Sequence, residues 1–264
     1  GEEALALARE FHPDAITLDL HLPDVDGWLL LDRLKHQPET RHIPVHIISV
    51  DEGLERGLRA GAIAHLTKPV NKRDLDAALA GLKARVERKE KYLLVVGPEK
   101  EERHALADLL GGENIVVTTA GSGQEALEAL GERPYDCMVT GLALPDMSGI
   151  ELLEQIQQRP ALHNLPVILY SDKGLSTAEE ADLERLGRRV VVTEAESPER
   201  LLEEATLFLH QVEASLPEAK RRMLEQVHRS DPKLAGKKIL IVDDDVRNIF
   251  AVTSVLERHR MGVI

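Results

Sequence analysis

The sequence predicts a parallel α/β protein whose doubly wound units stand in tandem, and two observations predict it. Short apolar strands alternate with amphipathic helical stretches along most of the chain. The first fifty positions also superpose without a gap on a later stretch, pairing Gly1 with Gly123, Ala4 with Ala126, Asp14 with Asp136, Pro23 with Pro145, Gly27 with Gly149, Pro44 with Pro166 and Ser49 with Ser171.

In chain order, the first copy (1–91) starts at a helix, continues through strands near 14–19, 44–49 and 63–66, and closes on a long helix near 71–91. It lacks two strands. The second copy (92–212) is a complete five-stranded unit with strands near 92–96, 114–118, 135–140, 166–170 and 189–193. Residues 213–236 carry Leu216, Met223, Leu224 and Val227 at helical spacing before Pro232 and Gly236 break the pattern, which predicts a helical linker. The last piece (237–264) supplies a first strand near 237–242, a first helix near 246–258 and the start of a second strand at 261–264. Those are the elements the first copy lacks, so 237–264 is expected to complete 1–91 in cis or in a domain-swapped dimer.

Composition narrows the function classes. Acidic residues outnumber basic ones 46 to 33, which argues against nucleic acid as a partner. No apolar run approaches the roughly 20 residues of a spanning helix, so this segment is expected to make no membrane contact and to be cytoplasmic, with a membrane anchor left to a larger parent protein. Cys137, the single cysteine, falls in a strand and reads as a buried structural thiol in a reducing compartment.

Parallel sheets place ligands outside the carboxyl ends of their strands, and the polar residues of the first copy fall there. Asp19 ends the strand Asp14-Ala-Ile-Thr-Leu-Asp19, Ser49 ends the next, and Lys68 follows the third in Leu66-Thr-Lys-Pro69. Asp243 and Asp244 follow the strand Lys238-Ile-Leu-Ile-Val242. An isolated Asp after a strand usually caps a helix; acids, a hydroxyl and a lysine at neighbouring strand ends instead suit phosphoryl transfer to a carboxylate, with acids on Mg²⁺ and the lysine and hydroxyl on the phosphoryl oxygens.

These residues resemble the receiver domain of two-component response regulators. The resemblance implies a flavodoxin-like (βα)5 fold of strand order 2-1-3-4-5. It makes Asp19 the phosphoacceptor, Ser49 and Lys68 the phosphate-binding switch pair, and Asp243 with Asp244 the metal pair. His21 would add a backbone carbonyl to Mg²⁺ (or Mn²⁺), and His65 stands where the family often carries an aromatic switch residue. The implied partners are a histidine kinase or histidine phosphotransfer domain and neighbouring receivers. The linker and the run 238–250 are similar to the receiver arrays of hybrid sensor histidine kinases.

The second copy departs from the pattern. Gly97 and Pro98 replace the acid pair, Gly141 replaces the acceptor, and with a four-residue insertion Glu194 aligns with Lys68. A non-phosphorylatable scaffold is expected. For the whole chain the competing reading is a phosphorylation-independent interaction scaffold. Flavin binding is disfavoured because aromatics make up 3% and no Gly-rich phosphate loop follows a first strand.

Overall fold

The computed structural model describes residues 1–50, 54–171, 174–186, 191–227, 237–242, 249, 252–253, 255–256 and 261–264. Three parallel sheets follow one another along these residues. The first unit comprises α1 (Glu2–Phe11), β1 (Ile16–Leu18), α2 (Gly27–His36), β2 (Val45–Ser49), α3 (Leu54–Arg59), β3 (Ala64–Thr67) and α4 (Lys72–Glu87), its strands ordered β1-β2-β3.

The second unit comprises β4 (Lys91–Val96), α5 (Lys100–Leu110), β5 (Ile115–Ala120), α6 (Gly123–Glu132), β6 (Cys137–Gly141), α7 (Gly149–Gln157), β7 (Val167–Tyr170), α8 (Thr177–Leu186), β8 (Val192–Ala195) and α9 (Pro198–Phe208). Its order is β5-β4-β6-β7-β8, the 2-1-3-4-5 arrangement expected from the sequence. After α10 (Glu218–Val227) comes a parallel pair, β9 (Lys238–Ile239) with β10 (Gly262–Val263).

Period-two alternation explains why the strands read as continuous apolar runs. In the second unit Leu93, Val95, Cys137, Val139 and Ile168 bury with residues of α5, α9 and α10, while Leu94, Val96, Met138, Val167 and Leu169 bury against α6, α7 and α8. Both faces are covered, so the central strands β4, β6 and β7 are almost wholly apolar, with Thr140 of β6 the buried exception. In the first unit Leu18, Val45 and Ile47 pack on Leu5 and Ala8 of α1 and on Leu30, Leu31 and Leu34 of α2. Cys137 is fully buried, and that burial pushes its thiol pKa up.

The structure moves two boundaries and docks the linker. The closing helix of the first unit stops at Glu87 rather than near 91. Arg88 instead turns extended and ion-pairs with buried Asp136, whose other carboxylate oxygen accepts from the Tyr92 amide at 2.8 Å. The last strand of the second unit lies at Val192–Ala195 rather than 189–193. The predicted linker is helical as far as Val227, but it is docked: Leu216 and Leu224 bury in the second unit's core, and the Lys220 ammonium donates to the Gly111 carbonyl at 2.5 Å.

One repeat-matched pair has a common steric cause. The Gly27 amide donates to the Leu20 carbonyl at 3.0 Å and the Gly149 amide to the Leu142 carbonyl at 2.6 Å, so each helix starts against the loop that leaves the preceding strand. A Cβ on Gly27 would lie 2.4 Å from Leu20 Cα, and one on Gly149 would lie 2.4 Å from the Gly141 carbonyl oxygen. Gly149→Ala is therefore expected to lower stability by about 1–3 kcal/mol. Gly131→Ala, where nothing lies within 4 Å, should gain up to about 1 kcal/mol. Thermal unfolding followed by circular dichroism separates the two signs.

Candidate functional site

Asp19 is the first residue past β1, Ser49 is the last of β2, and Lys68 is the first past β3. Because the three strands are adjacent and parallel, their carboxyl ends meet. Lys68 Nζ donates to Asp19 Oδ2 at 2.5 Å, and the Lys68 amide donates to the Ser49 carbonyl at 2.8 Å. The His21 amide donates to Asp19 Oδ1 at 3.1 Å. Ser49 is fully buried, with its Oγ 3.4 Å from His21 Nδ1. The Asp19 and Lys68 side chains keep 34% and 40% of their surface, so a ligand can reach the pair.

The Lys68 hydrogen bond, and after it the His21 amide, hold the Asp19 carboxyl below the ordinary carboxylate range. A depressed folded pKa gives an interaction that is complete above the unfolded value of about 3.9 and is lost as pH falls through the folded value. A carbon-detected NMR titration should thus place the Asp19 midpoint below that of a peptide Asp. Lys68→Met should return it upward.

His65 lies within β3 opposite Ile47, away from the strand end, and borders a cavity of ≈ 400 Å³ between β3 and α4 together with His46 and Asp74. His21 pairs with Asp26 in a short antiparallel bridge just past Asp19. Asp243 and Asp244 lie outside the described residues. Among the described residues no group of three or more His, Cys, Asp or Glu side chains is placed to hold a metal ion. Asp19 and a main-chain carbonyl are the hard oxygen donors that Mg²⁺ takes, but one carboxylate does not make a site on its own.

The described residues of the second unit do not repeat this constellation. β6 ends at Gly141, where a Cβ would meet nothing within 4 Å. After β4, the Gly97 and Pro98 carbonyls accept from the Arg103 guanidinium. Ser171 Oγ donates to the Gly174 carbonyl at 3.0 Å. Asp146 accepts from the Gly123 and Gln124 amides, both at 2.8 Å, and so serves the start of α6.

Glu194 does not stand where Lys68 stands. It pairs with Leu169 inside β8, whereas Lys68 lies past Thr67, the partner of Ser49. In sheet register the residue equivalent to Lys68 is Ser197, which caps α9 by accepting from the Arg200 amide. The four-residue insertion matches the helix starts and not the strands, because the loop between strand and helix is shorter in the second unit. Burial and then the nearby Glu180 and Glu196 raise the Glu194 pKa.

Two further groups escaped the sequence reading. Arg56 of α3 stacks on Trp28 at 4.1 Å from the ring centroid. Arg41, nearly fully buried in the turn before β2, donates to Glu213 Oε1 at 2.6 Å and to the Glu203 carbonyl at 3.0 Å, both in the second half of the chain.

The family model described as response regulator receiver domain matches residues 1–80 and 93–206. The chain is 27% identical over 201 residues to the response regulator PleD of Caulobacter vibrioides, covering 65% of this chain and 44% of that protein. It is 43% identical over 76 residues to the polar-differentiation response regulator DivK of Brucella ovis, covering 27% of this chain and 60% of that protein. It thus spans less than two thirds of either relative. A crystal structure of a response regulator receiver protein from Pseudomonas putida shares 29% identity at a TM-score of 0.38, over 44% of this chain and 96% of that one.

Proposed function

Since the chain belongs to the response regulator receiver domain family, whose members act in two-component signalling with kinases and phosphotransfer proteins and generally bind Mg²⁺ at the phosphorylation site, we propose that Asp19 accepts a phosphoryl group from a phosphohistidine. The contact of Lys68 with Asp19 at 2.5 Å, beside buried Ser49, is the observation that carries this reading. A carboxylate oxygen of Asp19 attacks phosphorus, the P–N bond of the donor breaks, and the nitrogen keeps the electron pair. Lys68 then moves from the carboxylate to a phosphoryl oxygen, and Ser49 Oγ donates to another. The product carries a charge of about −1.5 to −2 where the carboxylate carried −1.

Mg²⁺ (or Mn²⁺), on Asp19, the His21 carbonyl and an acid pair such as Asp243 with Asp244, would neutralise the charge gathering between donor and acceptor. Placing β9 beside β1 would extend the order to β10-β9-β1-β2-β3, which is 2-1-3-4-5; we assign 237–264 that role, in cis or from a second copy. His65 occupies the switch position on β3. With Gly141 as its acceptor position, the second unit serves as a scaffold between receivers, in the manner of a hybrid kinase's array.

Intact mass after incubation with acetyl phosphate and Mg²⁺ tests the reading. One added phosphoryl group supports it. No addition, in this chain and in one extended at both ends, leaves the phosphorylation-independent scaffold.

A further inference from the structure

The short helix α3 stacks on Trp28, beside the Asp19 loop, and packs on the degenerate unit. Near the site, the start of α2 is packed onto the backbone that carries Asp19: a Cβ on Gly27 would lie 2.8 Å from the Asp19 carbonyl oxygen. Trp28, the next residue, is capped by Asp26 through its amide and holds the Arg56 guanidinium over its ring. Two residues further along α3, Leu58 is 5% exposed and belongs to the second unit's core, in one buried cluster with Ala205, Phe208 and Leu209.

Gly61, just past α3, has φ +86° and sits so close to α9 that a Cβ there would be 3.1 Å from Leu207 Cδ1. Arg41 closes the same joint from the turn before β2, reaching the carboxylate of Glu213 and the carbonyl of Glu203. Its turn is itself fixed, because the buried Lys35 ammonium donates to the Arg41 and Ile43 carbonyls at 3.2 and 2.6 Å. An apolar patch thus seats α3 on α9, and an ionic clamp ties the turn before β2 to the same unit.

We propose that α3 couples the two receiver units, with α9 of the degenerate unit reading, through Leu58 and Gly61, the position that Trp28 and the Asp19 loop impose on Arg56. The degenerate unit is then a receptor for its neighbour's helix rather than a spacer. The coupling exists whether or not Asp19 is phosphorylated; what drives the helix rests on the reading of Asp19 as acceptor. By linkage, whatever biases α3 from the Asp19 side must be felt at α9, and the reverse must hold.

Trp28 is the only tryptophan, so its emission reports the α3 stack directly. Leu207→Ser, on the other unit, should shift Trp28 emission and raise its acrylamide quenching in the same direction as Arg56→Ala. Leu130→Ser, equally buried in the second unit but on its other face, should leave both unchanged. Should Leu207→Ser lose its far-ultraviolet dichroism, Arg41→Gln decides by the same readout. Folded Leu207→Ser or Arg41→Gln protein with unaltered Trp28 emission and quenching overturns the proposal. If Trp28 answers to Leu207 while acetyl phosphate adds nothing to Asp19, the coupling stands and the phosphoacceptor reading falls.

Discussion

Asp19→Asn is expected to abolish the phosphoryl mass gain completely, while Lys68→Ala reduces its rate by roughly 100- to 1,000-fold. The two losses differ in kind. The amide removes the anionic oxygen that forms the new bond, so no alternative route remains at this strand end. Removing the ammonium leaves the nucleophile in place and withdraws only the cation that neutralises the incoming group. Neither result should be a folding effect, because the Asp19–Lys68 pair is over a third exposed on average and such pairs contribute about 0–1 kcal/mol. Both variants should therefore unfold near the parent's midpoint by circular dichroism. A residual mass gain in Asp19→Asn would show that another side chain accepts phosphate.

The convergence of Asp19, Ser49 and Lys68 was legible because it depends on strand ends, and strand ends are marked locally by apolar runs and by the turn residues that follow them. The repeat was legible for a steric reason, since Gly27 and Gly149 have no room for a side chain. Glu194 was misplaced because sheet register is set by neighbouring strands, and a four-residue insertion that matches the helix starts absorbs a loop-length difference in the wrong place. The docking of 213–227 was hidden for another reason: helical spacing at Leu216, Met223 and Leu224 says that a face is apolar but not what covers it. Arg41 and Arg56 carried no signal at all. Each looks like a solvated cation until the chain returns, for Arg41, more than 160 residues later to bring Glu203 and Glu213 against it.

Arg41→Ala should be the most destabilising single change at that joint. Arg41 is 3% exposed at its side chain and Glu213 12%, and removing one partner of a buried ion pair costs about 3–5 kcal/mol because the other charge is left in a dry site. Glu213→Gln keeps a hydrogen-bonding oxygen and should cost less. The pH profile distinguishes this cause from simple loss of packing. Burial, and after it Glu203, push the neighbouring Glu204 carboxyl up to about 7, and Arg41 is among the groups that hold it down. A carboxyl with a raised folded pKa binds more protons folded than unfolded, so stability falls as pH rises from the unfolded value of about 4.3 to the folded one and is level above it. Without Arg41 the folded value moves higher still, and the fall continues to higher pH. Urea midpoints collected from pH 5 to 8.5 should therefore decline more steeply in Arg41→Ala than in the parent, with the gap widest at the alkaline end. A constant gap across that range would make Arg41 a packing residue, its charge of no account to the joint.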